Sequence, residues 1–274
     1  GEVHNLYVNE WGFAKNPRTI LCLHGFTQCS LDFSVLASFF SKYSVIISER
    51  NDSRLEKKKR KWKFLSFFVY FFSHKITTNS ISNLKYLKKY FFYKEPIYLA
   101  NPVKKICRIK LKKQKVITFI GKLEYQKAVD VLIYGFKKSY LHTKNWKLQI
   151  VGNGKLSGSL KQICKKEEIE EHVIFKNYSN NLENIYNGSS LLVLASRYEG
   201  TPNVVLEAVS LGLPILVSSN CNEIIRIFKA NVFKFKTNDI DDLSNMLRKV
   251  ALIEKKIIYK MCKENLKVLN KEFN

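Results

Sequence analysis

Between Leu191 and Pro214 the chain reads LLVLASRYEGTPNVVLEAVSLGLP: an apolar run, a polar loop and a second apolar run in immediate succession. Leu191 to Leu194 is apolar throughout, as a buried strand would be. Thr201 reads as the N-cap of a helix, and Pro202 suits the first helical position, where no N–H is needed. The helix continues Asn203-Val204-Val205-Leu206-Glu207-Ala208-Val209, and Glu207 is the single charge in it. A carboxylate on a packed helix face needs a partner, because burying it alone costs several kcal/mol or shifts its pKa. Glu199 precedes Glu207 with seven residues between them. The free N–H groups of a helix's first turn, together with its positive dipole end, form an anion site. The spacing therefore predicts a phosphate at Thr201 to Val204, one carboxylate just before it, and one a turn deeper for sugar hydroxyls. A plain structural alternative is a helix whose Glu207 meets a structural lysine.

From Lys115 onward, strand-like and helix-like runs alternate, the pattern of a parallel, doubly wound sheet. The expected strands are 116–120, 146–151, 172–175, 190–194, 214–217 and 232–235. Ligands of such sheets bind at the carboxyl ends of the strands. Gly121-Lys122, Gly152-Asn153-Gly154 and Glu199 all fall at such ends. A lone G-x-G is also an ordinary turn, and Lys122 and Lys127 are also two surface lysines among many.

The run S-R-Y-E-G-T-P-N-V-V-L-E-A followed by G-L-P-I-L resembles the nucleotide-sugar-binding domain of family 4 retaining glycosyltransferases, which have the two-domain GT-B fold. The resemblance extends from about Ser44 to Phe273. It implies an α/β chain of GT-B type, with a Rossmann-like second domain and an incomplete first one. It implies that Glu199 contacts the donor sugar, that Glu207 holds the ribose, and that Gly200, Thr201, Pro202, Asn203 and Val204 meet the diphosphate. Gly121 to Lys127 is similar to the family's G-R-L…K-G element, which puts Lys122 and Lys127 on the diphosphate. Lys122 stands where the family has Arg, so a point charge replaces a bidentate fork. Ala128 stands where the family usually has Gly, and Glu223 matches a Glu that follows the G-x-P strand. The donor implied is a nucleotide-diphosphate sugar, a UDP-sugar rather than a GDP-sugar. The acceptor implied is a glycan or lipid-linked sugar, as in bacterial cell-envelope polysaccharide synthesis. Catalysis would be electrostatic and need no metal. Asp239-Ile240-Asp241 spells a D-x-D, but it opens a helix and reads as a cap.

The start of the chain reads differently. I-L-C-L-H-G-F-T-Q-C-S-L-D-F resembles the opening of an α/β-hydrolase, where His24-Gly25 would help form an oxyanion hole. A hydrolase needs a nucleophile, and no G-x-S-x-G occurs in the chain. V-I-I-S-E-R-N-D then resembles a strand and loop late in the glycosyltransferase first domain. Asn101-Pro102-Val103 is similar to the family's domain junction. The organisation expected is therefore residues 1–43 as a hydrolase-like β-α-β segment, 44–100 as a remnant of the acceptor domain, and 101–274 as the nucleotide-sugar domain with a returning last helix. The family's glycine-rich acceptor loop and its histidine-bearing segment have no counterpart, so a non-catalytic product that recognises only the donor is the alternative.

The chain carries 47 Lys and Arg against 23 Asp and Glu, a formal charge of +24 over 274 residues. Such a balance favours an acidic partner. Glu56 to His74 combines a basic end with Trp62 and a row of Phe residues, which predicts either a peripheral helix on an anionic membrane or a domain helix with a buried Phe face. No nucleic-acid module accompanies the charge, so nucleic acid is not the expected partner. Six scattered cysteines form no C-x-x-C, which fits a reducing cytosol better than a disulfide framework. No secretory signal opens the chain, and Phe64 to Phe72, its longest strongly apolar run, is too short to span a bilayer. The expected location is cytoplasmic, with peripheral contact at the inner membrane face.

Overall fold

The computed structural model describes residues 20–24, 44–50, 70–71, 73–102, 114–179, 181 and 185–273. Two parallel sheets make up the described chain. The first has the order β1-β2-β3-β4, with β1 Ile20–His24, β2 Ser44–Glu49, β3 Lys75–Thr78 and β4 Ile97–Tyr98. Every neighbouring pair in it is parallel, and Ile20 stands opposite Ser44. Helix α1, Ile81–Tyr90, follows β3 and buries Asn83 and Leu87. Its Ser80 cap accepts a hydrogen bond from the Asn83 N–H. Ile47, Ile76, Leu87 and Phe91 form the core here, with Tyr70 edge-on to Phe91 at 4.8 Å.

Strand β3 was not among the expected elements. Lys75-Ile76-Thr77-Thr78 is short and has a single apolar residue, so it gives no apolar run. The two threonines are nonetheless buried, and Thr77 donates to the Ile47 carbonyl at 3.5 Å. The hydrolase-like residues beyond His24, with the helix expected of that β-α-β segment, and most of the stretch Glu56 to His74 lie outside the described residues.

The second sheet has six strands in the order β10-β9-β8-β5-β6-β7. They are β5 Val116–Ile120, β6 Lys147–Val151, β7 Val173–Lys176, β8 Ser189–Leu194, β9 Ile215–Ser218 and β10 Phe233–Phe235. All pairings are parallel. The expected strands are therefore present, each shifted by a residue at most at either end. Helices α2 Val129–Lys138, α3 Ser157–Lys166, α4 Asn203–Ser210, α5 Asn222–Phe228, α6 Ile240–Leu252 and α7 Lys255–Phe273 cover the sheet.

From Leu191 to Leu194 strand β8 is apolar because both its faces are covered. Leu191 and Val193 join one core with Phe119, Phe136 and Leu132, while Leu192 and Leu194 join the other with Tyr186, Val205 and Val209. Each such side chain removed from water contributes roughly 1.5–3 kcal/mol. Asp239 caps α6, accepting from the Asp242 N–H at 2.9 Å, so the D-x-D segment is helix-start chemistry. Among the described residues, no helix is long and apolar enough to cross a membrane.

Candidate functional site

The winding of the second sheet reverses between β5 and β8. From β5 the chain moves outward to β6 and β7, then returns to β8 on the other side and moves outward to β9 and β10. Loops leaving the two adjacent strands diverge at this point and open a crevice at their carboxyl ends. Residues from the loops after β5 and β8 meet there.

After β5, the loop from Gly121 runs through a 3-10 turn, Tyr125–Lys127, to Ala128 at the start of α2. Its neighbour is the loop after β6. Leu123 donates to the Asn153 carbonyl at 2.9 Å, and Leu156 donates to the Leu123 carbonyl at 3.0 Å. Gly152 has a φ of +143°, and a Cβ there would strike the Gly121 carbonyl oxygen. A Cβ on Gly154 would likewise strike the Leu123 backbone. Gly152-Asn153-Gly154 thus lets one loop seat against another. Ala128 is fully buried with φ 49° and ψ 42°, the left-handed region that costs a residue with a Cβ roughly 1–2 kcal/mol.

The Lys127 stem lies beside Gly121, and its Nζ forms an ion pair with Glu199 Oε1. The lysine side chain is 19% exposed and the glutamate 6%. Ser196 Oγ donates to the same carboxylate oxygen at 2.8 Å. Ser218 Oγ donates to the Ser196 carbonyl and lies 3.4 Å from Cys221 Sγ, so a line of polar groups backs Glu199. Burial, and then the Glu199 charge, push the Cys221 thiol up to about 12.

The Glu199 loop is fastened to the Lys127 loop at several points. Arg197 N donates to the Gln126 carbonyl at 2.7 Å, and Gln126 Nε2 donates to the Tyr198 carbonyl at 2.9 Å. The Arg197 guanidinium stacks over the Tyr125 ring at 3.9 Å and pairs with Asp130 at 3.1 Å.

Helix α4 starts one residue later than the sequence suggests. Pro202 occupies the cap position with ψ 126°, no side chain caps the helix, and Asn203 is its first residue. Thr201 is therefore not the cap. Its hydroxyl donates instead to the Asn79 carbonyl in the first sheet's segment. This end of α4 leaves the Asn203 and Val204 N–H groups without acceptors of their own helix, while the Val205 N–H goes to the Pro202 carbonyl at 3.1 Å.

Glu207 lies one turn in. The Tyr186 hydroxyl sits 3.2 Å from its Oε2 and 3.0 Å from the Val204 carbonyl, and can donate to either. Burial foremost, then the neighbouring Glu207 charge, hold the Tyr186 phenol well above its ordinary value. A tyrosine hydroxyl is thus one partner of Glu207. Lys122 stands next to Gly121 and is exposed.

The first sheet's carboxyl ends face this loop. Asn101 Nδ2 donates to the Thr201 carbonyl and, at 2.6 Å, to Asn203 Oδ1. Asn79 Nδ2 reaches the Thr201 carbonyl at 3.3 Å and Asn101 Oδ1 at 3.0 Å, and Arg50 also donates to Asn101 Oδ1. Gly200 fits only as glycine, since a Cβ would strike the Arg50 carbonyl oxygen and lie 2.6 Å from Asn79 Oδ1. Glu223, 1% exposed, joins the two sheets a second time. Its Oε2 accepts from Ser80 Oγ at 3.1 Å and from the Ile81 and Ser82 N–H groups at the start of α1. Its Oε1 accepts from Arg226 at 2.7 and 3.0 Å.

Sequence reasoning did not single out Tyr186, Ser196, Asn79 or Arg197. Tyr186, Asn79 and Arg197 act through partners far away in the chain, and Ser196, three residues before Glu199, is a loop serine that no spacing rule marks. Among the described residues, no group of three or more His, Cys, Asp or Glu is placed to hold a metal ion.

The model of the family described as Glycosyl transferases group 1 matches residues 105–268. An uncharacterized glycosyltransferase of Haemophilus influenzae is 34% identical over 152 residues, 54% of this chain and 43% of its own length. The UDP-Gal:alpha-D-GlcNAc-diphosphoundecaprenol alpha-1,3-galactosyltransferase of Escherichia coli is 32% identical over 142 residues, 50% of this chain and 36% of its own. The chain thus spans less than half the length of these curated relatives. S. aureus TarM, solved with UDP, superposes with a TM-score of 0.76 at 14% identity, over 85% of this chain and 49% of that one. Anabaena HepE in complex with UDP-glucose superposes with a TM-score of 0.74 at 14% identity, over 90% and 73%. These likenesses establish the GT-B type of α/β fold expected from the sequence.

Proposed function

Because the chain belongs to the group 1 glycosyl transferases, we propose that it binds a nucleotide-diphosphate sugar at the β5–β8 crevice and transfers the sugar, with retention, to a glycan or lipid-linked acceptor. The observation that carries this reading is the Lys127–Glu199 ion pair. It spans the reversal point of the sheet, and Glu199 stands four residues before Asn203, where a helix starts that no side chain caps. A diphosphate seated on the Asn203 and Val204 amides would meet the positive end of α4. Lys127 is then close enough to the loop to share its charge between Glu199 and that diphosphate. Lys122 adds a second cation from the same β5 loop.

In the transfer, the bond between sugar C1 and the diphosphate oxygen breaks as an acceptor hydroxyl oxygen bonds C1 on the same face, and the hydroxyl proton passes to the departing diphosphate oxygen. Negative charge builds on the departing diphosphate, and fixed cations and amides stabilise it. Glu199, held by Ser196 and Lys127, is positioned for the sugar hydroxyls. Glu207, oriented by Tyr186, is positioned for the ribose. A UDP-sugar is the donor we favour, which accords with the UDP-Gal named for the Escherichia coli relative and the UDP-glucose bound in HepE. The acceptor would enter from the first sheet's side, with the division between the two units near Asn101. The Escherichia coli relative's name includes a diphosphoundecaprenol, which supports a lipid-linked acceptor and work at a membrane surface.

Calorimetric titration with UDP and with GDP tests the donor site. UDP is expected to bind more tightly than GDP, and Glu207→Ala to weaken UDP by about tenfold, the loss of one charge-assisted hydrogen-bonding group. No affinity for either nucleotide, or an affinity untouched by Glu207→Ala, would overturn the reading.

A further inference from the structure

We propose that Asn101, in the first sheet's unit, is a positioning residue for the donor diphosphate: it holds the Asn203 side chain away from α4's own first turn and so keeps that turn's amides open. The inference rests on the donor reading above and adds to it a residue that touches no donor atom. Asparagine and threonine are strong helix-capping residues, whereas proline carries no capping side chain. Yet the cap position of α4 belongs to Pro202, with Thr201 just outside the helix and Asn203 just inside it. Neither neighbour caps. The Thr201 hydroxyl donates to the Asn79 carbonyl, and Asn203 Oδ1 accepts from Asn101 Nδ2 at 2.6 Å. Both holding groups belong to the first sheet's unit, 122 and 102 residues away in the chain. Among the described residues, the Asn203 and Val204 N–H groups have no acceptor.

The chemistry of its neighbours fixes which way the Asn101 amide faces. A carbonyl can only accept and a guanidinium can only donate, so Nδ2 faces the Thr201 carbonyl and Oδ1 faces Arg50. Asn79 Nδ2 donates to the same Asn101 oxygen at 3.0 Å. The Asn101 group beside Asn203 is therefore a donor, and Asn203 presents its oxygen to it, the atom that would otherwise cap. Asn101 and Asn79 are 5% and 2% exposed, whereas Asn203 is exposed. A buried, oriented amide thus restrains a side chain at the surface that has room to swing. Once released, Asn203 takes the cap position, its backbone turns extended, and its oxygen accepts from the Val205 or Leu206 N–H. The Asn203 and Val204 amides then no longer point together at one anion.

Calorimetric titration of the whole chain with UDP tests this. Asn101→Ala is expected to weaken UDP about fivefold, the strength of one helix cap. Asn101→Leu fills the same buried space without a donor and should weaken it by a similar factor. Asn203→Ala alone should stay within about twofold of wild type, since the side chain it removes takes no part in binding. The decisive variant is Asn101→Ala with Asn203→Ala, which removes the competing cap along with its restraint. It should return to within about twofold of wild type. A double variant as weak as Asn101→Ala would make Asn101 an ordinary contact between the two units and overturn the proposal. So would an Asn101→Ala chain that binds UDP as the wild type does. No UDP affinity in the wild-type chain would overturn the donor reading, and this inference with it.

Discussion

Lys127 and Glu199 are 72 residues apart in sequence, yet their side chains form an ion pair across the two strands at which the second sheet reverses its winding. The pair is mostly out of solvent, so neither charge is fully hydrated. Removing one partner leaves the other with an uncompensated cost. Lys127→Met is expected to lower stability by about 2 kcal/mol, below the range for a fully buried pair because the lysine keeps partial contact with water. The double variant Lys127→Met/Glu199→Gln should recover part of that loss. Denaturant titration of the two single variants and the double gives the coupling, and purely additive losses would show that the pair contributes nothing.

Tyr186→Phe removes one hydroxyl from a buried site and leaves Glu207 and the Val204 carbonyl to share no phenol donor. A cost near 1 kcal/mol in stability is expected. UDP affinity should fall several-fold while the far-UV spectrum stays the same. The phenol also reports on itself. Its folded value is raised above the unfolded one near 10, so its contribution to stability is complete below that pH and declines as pH rises above it. Ultraviolet titration should therefore show no tyrosinate from Tyr186 until the chain unfolds. Comparing the wild-type chain with Tyr186→Phe isolates that signal.

Glu223 ties α5 of the second sheet's unit to the first turn of α1 and to Arg226 at once. Glu223→Ala deprives the start of α1 of a carboxylate and leaves Ser80 and Arg226 without it. The expected loss is about 2–4 kcal/mol, the range for breaking a buried charged cluster. Glu223→Gln keeps an acceptor and should lose less. Thermal melts monitored by near-UV dichroism check the order wild type, Gln, Ala.

Cys164 and Cys221 are buried, and burial pushes their thiols up to about 11 and about 12. The thiolate is the reactive form. Neither should react with a disulfide reagent at pH 8 in the folded chain, and both should react once it is denatured. Mass mapping of the labelled peptides distinguishes these two from the other cysteines.

Much of the second sheet was legible because its strands are mostly apolar and alternate with helical runs. Leu191 to Leu194 could only be a strand covered on both faces, and it is. Strand β3 was not legible, since Lys75-Ile76-Thr77-Thr78 lacks an apolar run and is buried only through pairing with β2 and β4. Thr201 followed by Pro202 satisfies the local rule for a capped helix, but the hydroxyl is taken by the Asn79 carbonyl, 122 residues away. Local rules weigh neighbours in sequence and cannot weigh a contact supplied by another sheet. Tyr186 stayed hidden because 21 residues separate it from Glu207, and Ser196 because a loop serine three residues before Glu199 follows no periodic pattern. Ala128 shows the opposite case. Its departure from a usual glycine was visible in the sequence, and the structure shows why glycine would suit the position, a left-handed φ of 49°.

The structure of this chain determined with UDP bound is the most direct measurement. The diphosphate should lie against the Asn203 and Val204 amides within reach of Lys127 Nζ, with the ribose hydroxyls on Glu207. Phosphates remote from both Lys127 and the start of α4 would contradict the assignment.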